Sequence, residues 1–85
     1  MAKFHIYSKD TEEGLLAHDT WEATGAKQAI ELLTAGELSK GTMIDLPNNV
    51  ATYTSSDWII VASEDPSVGA AEFVRLLLDK QDSER

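Results

Sequence analysis

Two histidines are the side chains of this sequence best suited to metal binding or proton transfer. His5 and His18 lie in two segments that alternate apolar and polar residues, as half-buried strands do. A hairpin that pairs Ser8 with Leu15 would place the histidines opposite each other, with Cβ atoms about 5 Å apart. Two imidazoles at that distance can share a metal ion, and Glu22 is the obvious third ligand on the same face. Because a zinc site needs three or four ligands, we expect two surface histidines and no metal or cofactor, with a His5/His18 metal site as the alternative.

Carboxylates are the most numerous charged groups. Fifteen acidic residues against seven basic ones give a net charge of −8, which disfavours direct binding to nucleic acid or to an anionic membrane. A basic protein surface is the partner that such a charge favours. The carboxylates expected to contact it lie in the first loop, on the second strand and before the last helix: Asp10, Glu12, Glu13, Asp19, Glu22, Glu64 and Asp65. The alternative is that the acidity only keeps the protein soluble.

The sequence carries no motif of a catalytic or phosphate-binding site. No serine stands in a G-x-S-x-G segment, and no segment has the G-x-x-x-x-G-K-S/T spacing. The chain has no cysteine, which excludes a thiolate nucleophile, a disulfide and thiolate metal ligands and fits a reducing compartment. We therefore expect a protein that is not an enzyme.

The length of 85 residues fits a single domain, residues 1–85. The most apolar run, Trp58–Ala62, is far shorter than the roughly 20 residues that span a bilayer. The first residues lack the apolar run of a secretory signal. We expect a cytoplasmic protein.

Hydrophobic periodicity predicts the elements that position these side chains. Strands are expected near Lys3–Ser8, Leu15–Ala23, Gly41–Leu46, Val50–Ser55 and Trp58–Ser63, and helices near Ala26–Ala35 and Pro66–Gln81. The order ββα-ββ(β)α predicts an α+β fold: a single antiparallel sheet of four to five strands with two helices on one face. The run that starts at Trp58 does not alternate, so it is the expected central strand, covered on both faces.

Helix termini and core positions can also be assigned. Thr24 is the expected cap of the first helix and Gly36 its end, while Asp65 caps the second helix and Pro66 opens it. The predicted core consists of Phe4, Ile6, Trp21, Ile30, Leu33, Ile59, Val61, Val74 and Leu77.

The last helix is apolar over an unusually wide arc. Its apolar residues cover about 220° of a helical wheel, whereas a helix on a sheet needs about 100–160°. Leu76 or Leu78 should then stay exposed in a monomer, which predicts a two-fold homodimer formed through this helix. The competing interpretation places the helix deeper, wedged between the sheet and the first helix.

The segment Thr20–Leu33, "TWEATGAKQAIELL", has a strand ending in x-x-A and Thr, followed by a helix of the form A-x-x-A-I-x-x-L. This phrase resembles one found in very small phage-encoded proteins. Being short, acidic and cysteine-free with an α+β pattern, the whole chain resembles the anti-CRISPR type of inhibitor. The resemblance implies a non-enzymatic, phage or mobile-element-encoded inhibitor that binds a host nucleic-acid-binding complex, in some members by mimicking DNA. The alternative function is a small structural or regulatory subunit, homodimeric, whose acidity only provides solubility.

Overall fold

Five strands and two helices follow one another within residues 1–38 and 40–83, which the computed structural model describes. The strands are β1 (Ala2–Asp10), β2 (Leu16–Ala23), β3 (Gly41–Leu46), β4 (Val50–Ser55) and β5 (Trp58–Ser63), and the helices are α1 (Ala26–Thr34) and α2 (Pro66–Ser83). All neighbouring strands are antiparallel. The α+β class with a single antiparallel sheet is therefore confirmed.

Strand β5 lies at the centre of the sheet. The strand order is β2-β1-β5-β4-β3, so β5 is flanked by the first strand on one side and by its hairpin partner β4 on the other. Its residues 59–63 are all buried, as expected for a central strand without polar alternation. Strands β2 and β3 form the two edges.

The two helices lie on opposite faces of the sheet. Successive side chains of a strand point to opposite faces. In β5, Ile60 packs in one cluster with Ile30 of α1, while Val61 packs in a second cluster with Phe73 of α2. We call these the α1 face and the α2 face. The prediction of two helices on one face, and that of α2 wedged against α1, are both wrong, because a central strand that is apolar on both sides needs a cover on each.

Helix α1 begins differently from the prediction. Its N-cap is Gly25, and no side chain caps it. Instead, the hydroxyl and backbone N–H of Thr24 both donate to Oε1 of Gln28, at 2.8 and 2.6 Å. The assignment of Thr24 as the cap is wrong, since its hydroxyl is a donor to the helix side chain. At the other end Gly36 has a φ of 81°, and its N–H donates to the carbonyl oxygen of Glu31 at 3.0 Å, which closes the helix as expected.

Helix α2 begins where the sequence predicts. The backbone N–H of Ser67 donates to Oδ1 of Asp65 at 2.9 Å, and Pro66 is the first helical residue. One turn later the helix passes so close to Ser63 that a Cβ on Gly69 would overlap the serine hydroxyl. Glycine therefore sets how closely α2 approaches β5. None of the helices within the described residues is long and apolar enough to cross a lipid bilayer.

Seven of the nine predicted core side chains pack in the core, and two are exposed. Phe4, Ile6, Ile30, Ile59 and Val61 are buried, and Leu33 and Leu77 pack at the edges of the two clusters. Trp21 is 39% exposed because it lies on the edge strand β2, and Val74 is 52% exposed because it lies on the side of α2 turned away from the sheet. Phe73, which was not predicted, is the buried aromatic anchor of α2.

Candidate binding cleft

Two turns meet at one end of the sheet and bring carboxylates from distant parts of the chain together. The β1–β2 turn carries Glu12 and Glu13, and the β4–β5 turn carries Asp57. The backbone N–H of Thr11 donates to the carbonyl oxygen of Asp57 at 2.9 Å, and its hydroxyl donates to the carbonyl oxygen of Ser56 at 2.6 Å. We call this pair of turns, defined by Glu12, Glu13 and Asp57, the acidic end.

Asp10 shapes the first of these turns. Its Oδ1 accepts the backbone N–H of Glu12 at 2.8 Å and that of Glu13 at 3.3 Å, and Gly14 completes the turn with a φ of 74°. The Asp10 carboxylate therefore holds the turn, while the Glu12 and Glu13 side chains stay exposed to solvent.

A cleft of about 490 Å³ opens on the α1 face beside the acidic end. Helix α1 has only nine residues, so it leaves part of that face uncovered. Ala17 of β2 and Trp58 and Ile60 of β5 contribute to the floor, and Leu33 and Thr34 at the end of α1 contribute to the wall. The volume lies within the range of about 300–1,000 Å³ that is typical of ligand pockets.

The lining of the cleft carries an excess of negative charge. Asp19, Glu37 and Asp57 contribute three carboxylates, and Lys40 is the single base among the described lining residues, so their charges of −3 and +1 sum to −2. Thr34 ends helix α1 at this wall, which places the negative end of the helix dipole beside the cleft. Both contributions favour a cation.

Two largely buried side chains whose hydroxyl oxygens remain accessible from the cleft complete the lining. Ser8 is 5% exposed and Tyr53 is 3% exposed, and both line the cleft. Neither hydroxyl makes a hydrogen bond to any part of residues 1–38 and 40–83. A Cβ on Gly41 would lie 2.5 Å from Cζ of Tyr53, so the ring can occupy this position only beside a glycine. The cleft thus presents polar groups of its own to a ligand.

The remaining predicted partner residues lie away from the cleft, towards the opposite end of the sheet. Glu22 is opposite Lys3 on the β1–β2 ladder. Glu64 accepts a hydrogen bond from Nδ2 of Asn49 at 3.0 Å, and Asp65 caps α2. The structure therefore brings Asp10, Glu12, Glu13 and Asp19 to one region and places Glu22, Glu64 and Asp65 in another.

Asp65 gives the fold a pH dependence. Hydrogen bonds from the side chain and backbone of Ser67 hold the pKa of its carboxyl below the ordinary value of 3.8. The cap therefore stabilises the fold above pH 3.8, and this stabilisation is lost as the pH falls through the lowered folded pKa. Asp65→Asn keeps a capping oxygen but does not titrate, so its melting temperature should fall less between about pH 6 and about pH 3 than that of the unmodified protein. Thermal unfolding followed by circular dichroism measures this, and equal falls in the two proteins would contradict it.

The two histidines lie close together on the α2 face, although the predicted register is wrong. Strand β1 continues to Asp10, so Tyr7 rather than His5 is opposite His18, and His5 is opposite Thr20. The rings nevertheless meet diagonally, with Nδ1 of His5 3.3 Å from Nε2 of His18. The His18 ring also stacks on Tyr7 with centroids 4.6 Å apart. No group of three or more metal-ligating side chains occurs among the residues described, so Glu22 does not complete a site.

The two leucines predicted to form a dimer interface lie in different environments. Leu76 packs against the cluster of Val61 and Phe73, whereas Leu78 is 56% exposed. Leu78 shares its exposed side of α2 with Val74. A self-complementary contact through α2 would therefore use Leu78 and not Leu76.

Sequence reasoning missed Glu37, Asp57, Tyr53 and Trp58 as members of one site. Glu37 follows α1, Tyr53 lies in β4, and Asp57 and Trp58 are consecutive at the start of β5, so they belong to three segments that only the fold brings together. Comparison of the chain with protein-family models, with characterised proteins and with solved structures finds no match.

Proposed function

We propose that this protein is a non-enzymatic inhibitor that acts in the cytoplasm and binds a basic surface of a nucleic-acid-binding complex, as the resemblance to the anti-CRISPR type implies. The observation that supports the proposal most directly is the meeting of the two acidic turns. Two hydrogen bonds from Thr11 hold the turn that carries Glu12 and Glu13 against the turn that carries Asp57. Exposed carboxylates on two adjoining turns can occupy the sites that phosphates of DNA would take.

The net charge supports the same proposal. A chain with a charge of −8 is attracted to basic surfaces from a distance, which raises the rate of encounter at low ionic strength. Salt screens such attraction, since the Debye length falls from about 10 Å at 0.1 M to about 3 Å at 1 M. Binding of the partner should therefore weaken steeply as salt rises.

A variant of the acidic end tests the proposal. We expect Glu12→Gln/Glu13→Gln to weaken binding of the partner about fivefold at low salt, since two exposed charges are removed from the contact. The matched control is Asp45→Asn/Asp79→Asn, which removes the same charge outside the acidic end and should change binding little. Asp79 pairs with the exposed Arg75 on α2, so its loss disturbs only a surface ion pair.

The measurement begins with capture of the partner. The immobilised protein is exposed to a nuclease-treated lysate of cells that carry its gene, and bound protein is eluted in steps of sodium chloride, with and without duplex DNA as competitor. Elution of a basic protein by salt and by DNA supports the proposal. An acidic partner, or binding that is unchanged between low and high salt, contradicts mimicry.

A homodimeric structural or regulatory subunit is the second candidate function. The exposed pair of Val74 and Leu78 on α2 favours it, because an apolar flank is commonly buried against a second copy. The two candidates respond to salt in opposite directions. Two chains of like charge repel each other, so salt would strengthen self-association and weaken binding to a basic partner.

A further inference from the structure

The cleft has the chemistry of a site for a flat cation with an apolar stem. Its carboxylates outnumber its one described base, and the negative end of the α1 dipole lies at its wall. Trp58 supplies an exposed indole ring, and a guanidinium stacks on such a ring more readily than an ammonium does. Ala17 and Leu33 supply apolar surface for the methylene groups.

The largely buried side chains of Ser8 and Tyr53, whose hydroxyl oxygens remain accessible from the cleft, distinguish this site from a cluster of acids alone. The oxygens of Ser8 and Tyr53 can each accept a hydrogen bond, and no described residue donates to either. A guanidinium has five N–H donors in a planar fork, enough to reach carboxylates at the rim and hydroxyls at the floor together. An ammonium has three donors at one point and cannot span both.

We propose that the cleft receives an arginine side chain of the basic partner, which enters between Asp19 and Asp57. This inference rests on the proposed function, because it names the group on the partner that the protein recognises. The position of Asp57 links the two, since Asp57 lines the cleft and also belongs to the acidic end. The turns attract the basic surface and the cleft selects one of its arginines.

Lys40 opposes the cation and provides a test of the charge argument. Its ammonium contributes +1 to a lining that otherwise carries −3. Replacement of Lys40 by glutamine should therefore strengthen binding of an arginine probe about twofold. A decrease would contradict the assignment of the cleft to a cation.

The experiment uses N-acetyl-arginine amide as the probe and Trp58 fluorescence as the readout. The chain has two tryptophans, so a Trp21→Phe background leaves Trp58 as the single reporter. We expect saturable binding with a Kd on the order of 1 mM, typical of one side chain without its protein. The citrulline analogue has the same shape without the charge and should bind at least about tenfold more weakly, and the lysine analogue should bind about threefold more weakly.

Variants of the rim locate the bound probe. Asp19→Asn/Asp57→Asn should weaken binding about fivefold, while Asp45→Asn/Asp79→Asn should leave it unchanged. If the double variant fails to fold, Glu37→Gln gives the independent result, because Glu37 lies after α1 and not on the sheet. Equal binding of the citrulline analogue, equal or tighter binding of the lysine analogue, or undiminished binding in the rim variants would overturn the proposal.

Failure here differs from failure of the proposed function. In one outcome the probe does not bind, while salt still elutes a basic partner and Glu12→Gln/Glu13→Gln still weakens its binding. In that case the arginine site is wrong and the inhibitor proposal stands. If the probe binds as expected but no basic partner is captured, the cleft is a guanidinium site and the inhibitor proposal is wrong.

Discussion

Replacing Phe73 by alanine should lower the free energy of unfolding by about 3–5 kcal/mol, the usual range for a buried phenylalanine. Phe73 is 8% exposed and packs against Val61, and its ring centroid lies 6.1 Å from that of Tyr7. It is therefore the main contact between α2 and the sheet. A domain of this length has a total stability of only about 4–13 kcal/mol, so the variant should lose a large share of it.

The neighbouring residue provides the control. Val74→Ala removes apolar atoms from the same turn of α2, but from its exposed side, and should change stability by less than about 0.5 kcal/mol. Urea unfolding followed by circular dichroism measures both variants. Similar losses in the two would mean that α2 packs through the other side.

Leucine-to-glutamate changes on α2 should separate folding from self-association. Leu76→Glu places a carboxylate against the second apolar cluster and should destabilise the fold by about 2–3 kcal/mol. Leu78→Glu alters an exposed position and should leave stability almost unchanged. If two copies pair through α2, Leu78→Glu should also convert the dimer to a folded monomer, since a charge buried in an interface is costly.

Sedimentation and urea unfolding of the same samples give both results. The unmodified protein is measured at concentrations of tens of micromolar, on the order needed to detect such a contact. A monomer at these concentrations removes the homodimer from consideration. Equal unfolding midpoints for Leu76→Glu and Leu78→Glu would contradict the placement of Leu76 in the second cluster.

The second half of the sheet could be predicted because its signals are local. Asn48 and Asn49 have φ values of 66° and 56°, the left-handed conformation that asparagine tolerates in tight turns, and they lie in the turn that joins β3 to β4. Asp65 and Pro66 likewise mark the start of α2 through the geometry of its first turn. The backbone conformation at these positions therefore depends on the local residues and not on distant contacts.

The faces of the helices could not be predicted in the same way. An apolar arc on α2 shows that the helix packs on something, but not which face of the sheet it covers. The answer depends on β5, where Ile60 and Val61 point in opposite directions and each requires a cover. The need for a cover on each face and the central position of β5 in the sheet have the same cause, because this strand has no polar face.

The cleft depends on the packing of distant segments. It exists because α1 ends at Thr34, before the α1 face is covered, and because the chain returns past Glu37 and Lys40 to start β3. No single segment of the sequence determines the volume of the cleft or the charge of its lining. The acidic end likewise requires Thr11 to meet Asp57, residues far apart in the sequence.

Because β1 pairs with β5, one side of β1 stays unpaired until β5 has been made, although β2, α1, β3 and β4 lie between them in sequence. The other strand pairs are hairpins between neighbours in sequence and can form early. Pairing β1 with β5 closes a long loop before the contacts of Phe4 and Ile6 with the rest of the core are gained. Formation of the β1–β5 register is thus the step most exposed to competing intermolecular pairing during folding.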